Sequence, residues 1–165
     1  MPARGPPSTA APGVLRFHET SHGRLATFTH GRTRVTRTTG FAECIVLSDS
    51  PVPVTDRGVY YEIVITETAS TWTGGLEIGL IRALPASLTD ARNVTDFAAQ
   101  GVTLSSSGHV AGMETALWAP TPRTRGDRVG LLLDHSGRVQ VRDKGPCPRR
   151  SRVATVGRGV CRPST

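Results

Sequence analysis

The stretch RVGLLLDHSGRVQV, residues 128–141, has two apolar alternations on either side of a short polar turn. Apolar residues occupy every second position on each side, as in a strand with one buried face. They are Val129, Leu131 and Leu133 before the turn, and Val139 and Val141 after it. The stretch therefore predicts a β-hairpin in which these five side chains are cross-strand neighbours on one face.

Other short segments indicate further strands. Residues 14–18, 44–48, 59–66 and 76–81 are short apolar or alternating runs, and residues 24–29 and 32–38 suggest a hairpin around a His30-Gly31 turn. In residues 59–66, Tyr61, Ile63 and Ile65 share one face. No segment has a sustained 3.6-residue period, and residues 84–100 suit at most one short helical turn. The chain is therefore predicted to be all-β, an antiparallel sandwich or barrel.

Charge separates the chain into parts. A length of 165 residues suits one domain, with or without tails. The net charge is +7, but residues 142–165 contain seven basic residues and one acidic residue, so the rest carries only +1. The basic charge therefore gives no reason to expect specific nucleic-acid binding by the body of the chain. Residues 1–13, rich in Pro, Ala and Gly, are predicted to be a disordered lead-in.

The cysteines and the N-terminus favour a cytoplasmic protein. Cys44, Cys147 and Cys161 are odd in number and have no CxxC spacing, which indicates neither a disulfide framework nor a zinc site. Cys44 lies in an apolar run and is expected to be a reduced, buried thiol. The chain has no apolar run long enough for a transmembrane helix, and its first residues have no apolar core of a secretory signal.

A set of short motifs along residues 14–141 resembles the Neuralized homology repeat, or NHR domain. The motifs are Phe17-His18, His22-Gly23, Arg37 before Phe41, Ile45-Val46 with Ser48 and Pro51, Trp72-x-Gly74-x-Leu76-x-Ile78-Gly79, and the hairpin GDRVGLLLDHSGRVQV. Each motif is weak alone, but their order is specific. The segment between residues 93 and 112 is most similar to repeats of a multi-repeat member of the family.

The resemblance implies a SPRY-like antiparallel β-sandwich that recognises proteins in ubiquitin-ligase systems. It implies no enzyme activity and no cofactor, and it leaves a centriole-associated location open. After Val141 the chain departs from the family pattern and becomes basic and Pro-rich. We therefore expect residues 142–165 to be mostly disordered, and the sandwich to lack its closing C-terminal strands.

The candidate partner-binding residues come from these motifs: His18, His22, Arg37, Phe41, Trp72 and Gly74. We expect the partner, a protein or peptide, to meet loops at one end of the sandwich, because strands hold such loops in place. Trp72 is expected to pack over the sandwich edge, with an exposed partner-binding aromatic as the alternative. Gly74 and Gly79 are expected to permit tight turns or close backbone approach.

The sequence also contains residues that bear on other types of site. Arg32, Arg34 and Arg37 are expected to share one strand face, which is either a solvated face or an anionic patch that binds a phosphoinositide. His18 and His22 have no third ligand beside them to complete a metal site. Ser105–Ser107 before His109 lacks the G-x-S-x-G pattern of a hydrolase. A glycan-binding module remains a further alternative, although the chain has only two Trp and two Tyr.

Overall fold

The structure is a computed structural model of the chain. It describes residues 13–37, 44–68, 76–85, 88, 94–105, 107–111, 123–144 and 152–155. Within these residues the regular elements are antiparallel strands and one 3₁₀ helix, which confirms the predicted all-β class. None of the described helical structure is long and apolar enough to cross a membrane.

The strands follow one another in short segments. They are β1 Phe17–His22, β2 Ala26–Thr29, β3 Arg34–Arg37, β4 Val46–Ser48, β5 Val54–Thr55, β6 Gly58–Val64, β7 Ile78–Ile81, β8 Gly101–Leu104, β9 Arg128–Leu133, β10 Arg138–Lys144 and β11 Arg152–Thr155. One five-stranded sheet has the order β11-β10-β9-β6-β5, and the described pairs β1-β4, β2-β3 and β7-β8 complete the architecture.

The hairpin predicted from residues 128–141 is the centre of the five-stranded sheet. Val139 pairs with Leu133, and Val141 with Leu131, as the alternation requires. On the other side of β9, Tyr61 of β6 lies opposite Leu131. Period-2 patterning therefore placed both the strands and their buried face correctly.

The main hydrophobic core lies between the inner face of this sheet and the β7-β8 pair. Its buried members are Ile78, Leu104, Val110, Val129, Leu131, Val139 and Val141. Tyr61, Ile63 and Leu80 pack against this cluster from the strands around it. Strands from both layers therefore contribute side chains to one interior, as in a β-sandwich.

A tyrosine hydroxyl joins the two layers directly. Tyr61 donates a hydrogen bond to the carbonyl of Gly79 at 2.9 Å and accepts one from the Gly79 N–H at 3.0 Å. Burial raises the pKa of Tyr61 far above its usual range, so the hydroxyl keeps its proton. A Cβ on Gly79 would lie 2.8 Å from the Val102 carbonyl oxygen, so the close approach of β7 to β8 requires glycine at this position.

The 3₁₀ helix Val94–Gln100 lies within the segment where at most one short helical turn was predicted. Its first N–H, on Val94, donates to the carboxylate of Glu77 at 2.9 Å. Phe97 is buried, and the helix leads directly into β8. A side chain just before β7 thus satisfies a helix-terminal donor and ties the helix to that strand.

The end of the chain differs from the expectation. β10 continues past Val141 to Lys144, and β11 pairs with it, for example Val139 with Ala154. The expectation placed no clear strand in residues 142–165, whereas residues 142–144 belong to β10 and residues 152–155 form β11. It considered only the apolar surface of this segment, whereas an edge strand also gains from backbone hydrogen bonds to its neighbour. The predicted disorder of residues 145–151 and 156–165 lies outside the described residues.

Smaller differences concern the first strands. The strand expected at residues 14–18 begins at Phe17 and runs to His22, and Val14 is 78% exposed. The hairpin of β2 and β3 is confirmed, and its turn has positive φ angles of 54° at His30 and 62° at Gly31. The proline-containing segment after β4 leads to β5, which lies at one end of the five-stranded sheet, a position where prolines are tolerated.

We predict that Tyr61→Phe lowers the free energy of unfolding by about 1–3 kcal/mol, because two buried backbone groups of Gly79 lose their partner. Tyr60→Phe is the matched control, since it removes one hydrogen bond, to Glu62, on the other face of β6. Urea unfolding of both variants measures the difference. Equal losses in the two variants would contradict a special role of the Tyr61 hydroxyl.

We also predict that truncation after Lys144 destabilises the chain by about 1–3 kcal/mol, the net value of a few hydrogen bonds. Truncation after residue 156 should leave stability nearly unchanged, because it retains β11. Thermal unfolding of both truncated chains checks this. If the two melt at the same temperature, β11 does not support the sheet.

Candidate binding site

The ring of His18 shapes an irregular part of β1. Its Nδ1 atom accepts the N–H groups of Thr20 and Ser21, at 3.2 and 3.0 Å. Phe17 lies opposite Ser48 and His22 opposite Val46, so β1 holds more residues than β4 over the same span. His18 therefore replaces missing ladder partners inside a β-bulge.

An aromatic cluster lies against this bulge. The rings of Phe17 and Phe28 stack with centroids 5.9 Å apart, and His22 meets Phe28 edge-on at 4.8 Å. His22 also donates from Nδ1 to the carbonyl of Gly23 at 2.9 Å. The cluster fixes the β1 bulge on the β2-β3 hairpin, and both histidines have structural contacts.

Gly23 brings the chain after β1 close to the residue before β4. Its N–H donates to the carbonyl of Ile45 at 2.7 Å. A Cβ at this position would lie 3.2 Å from the Ile45 nitrogen, so a larger residue would have to push the two segments apart. The His-Gly pair of the sequence motif thus holds two loops side by side.

Arg37 belongs to the same region. It pairs with Ala26 at the end of the β2-β3 hairpin and is on the face that carries Phe28 and Val35. Burial raises the pKa of the Cys44 thiol, and the positive charge of Arg37 partly offsets this rise. Arg37 is exposed. The structure therefore brings His22, Arg37 and Cys44 to one edge of the molecule.

The proposed arginine patch is divided by the structure. Arg32 donates to the Phe17 carbonyl at 3.0 Å and lies 3.5 Å from the Asp49 carboxylate. Arg34 pairs with Glu67 at 3.4 Å. Arg34 and Arg37 are three positions apart in β3, so they point to opposite faces. The expectation that the three share one face was wrong, because an odd spacing reverses the side of a strand.

Three of the predicted binding residues lie outside the described residues: Phe41, Trp72 and Gly74. Neither the Phe17–Phe28 pair nor the contact at Gly23 was predicted from the sequence. The alternation of Ala26 and Phe28 indicates a buried face of β2. The bulge in β1 has no such period, so the neighbours of His18 and His22 could not be read from spacing.

The metal and hydrolase alternatives can be compared with the described residues. Among them, no group of three or more His, Cys, Asp or Glu side chains is placed to hold a metal ion. Ser107 lies 2.7 Å from Ser105 and 3.1 Å from the Nδ1 atom of His109. These contacts occur within the exposed turn between β8 and the Leu104–Val110 bridge, and they close that turn.

Comparison with known proteins gives one family. The protein-family model described as Neuralized matches residues 17–156. The match begins at the first residue of β1 and ends one residue after β11. It therefore covers the whole described sandwich, including the last strand. The comparisons with curated proteins and with solved structures each found no significant match.

We predict that Arg37→Ala slows alkylation of Cys44 about two- to threefold near neutral pH. Removing the cation raises the thiol pKa further, so a smaller fraction is thiolate, which is the reacting form. Arg37→Lys should retain most of the rate. The measurement uses iodoacetamide on chains in which Cys147 and Cys161 are replaced by Ser. A faster reaction in Arg37→Ala would contradict the placement of Arg37 beside Cys44.

Proposed function

This chain belongs to the Neuralized family, and we propose on that basis that it is a non-enzymatic adaptor that recognises a protein or peptide partner. Neuralized domains are protein-interaction domains of ubiquitin-ligase-related proteins. The adaptor would present a substrate or another partner to such a ligase. The observation that carries the proposal is the family match over residues 17–156, which spans β1 to β11.

The geometry of the first strands supports a binding surface at one edge of the sandwich. The β1 bulge, the end of the β2-β3 hairpin and the start of β4 are joined by the aromatic cluster and by the Gly23–Ile45 hydrogen bond. Loops held in this way can keep a fixed shape for a partner. Arg37 is exposed at this edge and offers a cationic side chain to it.

We include Phe41 and Trp72 in the proposed surface because of the chain connections to which they belong. Phe41 belongs to the six-residue connection between Arg37 and Cys44, whose two ends both lie at this edge. Trp72 belongs to the connection between β6 and β7, the two strands joined by the Tyr61–Gly79 contact. Aromatic and arginine side chains dominate the affinity of many protein interfaces. We therefore assign partner contact to Arg37, Phe41 and Trp72, and a supporting role to His18 and His22.

We predict that this chain captures a subset of peptides from an array at moderate salt, and that Trp72→Ala weakens capture at least about tenfold. Arg37→Ala should weaken it less. Arg57→Ala is the matched control, because Arg57 is an exposed arginine in the turn between β5 and β6. Circular dichroism confirms that each variant is folded.

Two outcomes would contradict the proposal. If folded Trp72→Ala and Arg37→Ala both bind at full strength, the site is elsewhere. If vesicles containing phosphatidylinositol bisphosphate bind and no peptide does, the chain is an anionic-lipid module instead. A parallel glycan array tests the lectin-like alternative in the same way: binding of a glycan without binding of any peptide would favour it.

A further inference from the structure

An open groove lies beside the start of β3. Its volume is about 580 Å³, within the range of about 300–1,000 Å³ that ligand sites commonly have. It is lined by Arg34, residues 64–68, Arg125 and Gly126. The two arginines come from distant parts of the chain, and the lining segment 64–68 leads towards the connection that contains Trp72. Of the lining residues, only Gly126 belongs to the motifs that indicate the family.

A carboxylate already occupies part of the groove. Glu67 lies 3.4 Å from the guanidinium of Arg34, and its side chain is 75% exposed. An ion pair of this length and exposure is weak, because water competes with it and both side chains lose freedom in it. Glu67 can therefore leave Arg34 at little cost when another carboxylate approaches.

The second arginine has no such partner. Within the described part of the chain, Arg125 makes no ion pair, and it is exposed. Its turn is held rigidly, since the Asp127 carboxylate accepts the N–H of Thr124 at 2.8 Å. The backbone of Ile65 also bonds to this turn, to Gly126 at 2.7 Å and Asp127 at 2.9 Å. A free guanidinium thus stands on a fixed turn at the groove.

We propose that this groove receives a carboxylate side chain of an acidic peptide segment. The incoming Glu or Asp would pair with Arg125 and displace Glu67 from Arg34. The groove has two cations and one exposed anion, which favours an anionic ligand. This inference rests on the proposed function for the peptide nature of the partner, and it adds the chemistry of one part of that partner.

The structure itself gives the reason to choose a carboxylate as the ligand group. Arg34 pairs in the structure with a carboxylate, and the flexible, exposed Glu67 can withdraw only if its negative charge moves into water. Binding of a small carboxylate should therefore become tighter when the negative charge of residue 67 is removed.

The test is an NMR titration of the whole chain at low salt with acetyl-Ala-Glu-Glu-Ala-amide. The matched probe is acetyl-Ala-Gln-Gln-Ala-amide, and inositol trisphosphate is the phosphate arm. We expect saturable shifts of the Arg34 and Arg125 side-chain N–H signals with the Glu peptide and none with the Gln peptide. The shifts should fall as salt rises, because the contacts are exposed.

Variants then distinguish binding in the groove from non-specific attraction to the positive charge of the chain. Glu67→Gln should tighten binding about two- to fivefold by removing the competitor, and Arg125→Gln should weaken it by about the same factor. Arg57→Gln, at the control position used above, should leave the affinity for the Glu peptide unchanged. Because Arg125 makes no ion pair in the described structure, Arg125→Gln should leave the dispersed amide spectrum intact.

Three results would overturn the inference: weaker binding in Glu67→Gln, equal losses in Arg125→Gln and Arg57→Gln, or binding of the trisphosphate without the Glu peptide. Failure here is distinguishable from failure of the proposed function. If Arg125→Gln retains full capture of array peptides while Trp72→Ala loses it, the groove is not used and the adaptor function stands.

Discussion

One buried hydroxyl takes both backbone hydrogen-bonding groups of a residue in the opposite layer. Tyr61 bonds to the N–H and the carbonyl of Gly79, where β7 has a neighbouring strand, β8, on its other side. Unpaired backbone groups at a buried edge are costly, so a side chain that satisfies both replaces a missing strand at this point. The contact requires a tyrosine in β6. The glycine in β7 is required for a separate reason, because a Cβ there would meet the Val102 carbonyl oxygen of β8.

At the proposed binding edge, too, side chains make hydrogen bonds in place of those that a neighbouring strand would make. The His18 ring accepts two N–H groups inside the β1 bulge, and Arg32 exchanges hydrogen bonds with Phe17 through its guanidinium and its carbonyl. The motif residues at this edge are therefore occupied in holding the loops. In our proposal the partner meets the exposed Arg37, Phe41, Trp72 and the groove at Arg125.

The sequence predicted the elements in which side-chain period and burial agree. The alternations at residues 59–66 and 128–141 specified β6, β9 and β10 and their inner faces, and the core confirms them. Period alone did not reveal β11, whose pairing depends on a neighbouring edge, or the β1 bulge, where the period is broken. The ordered motifs indicated the family, but Arg34 faced an unforeseen partner, Glu67, 33 residues away.

Amide hydrogen exchange at Gly79 tests the link between the layers most directly. The account predicts that this N–H exchanges as slowly as that of Leu131 in the core strand β9, because both open only with global unfolding. Exchange of Gly79 as fast as that of Gly31 in the exposed β2-β3 turn would contradict the account. The Tyr61 hydroxyl would then not hold β6 and β7 together.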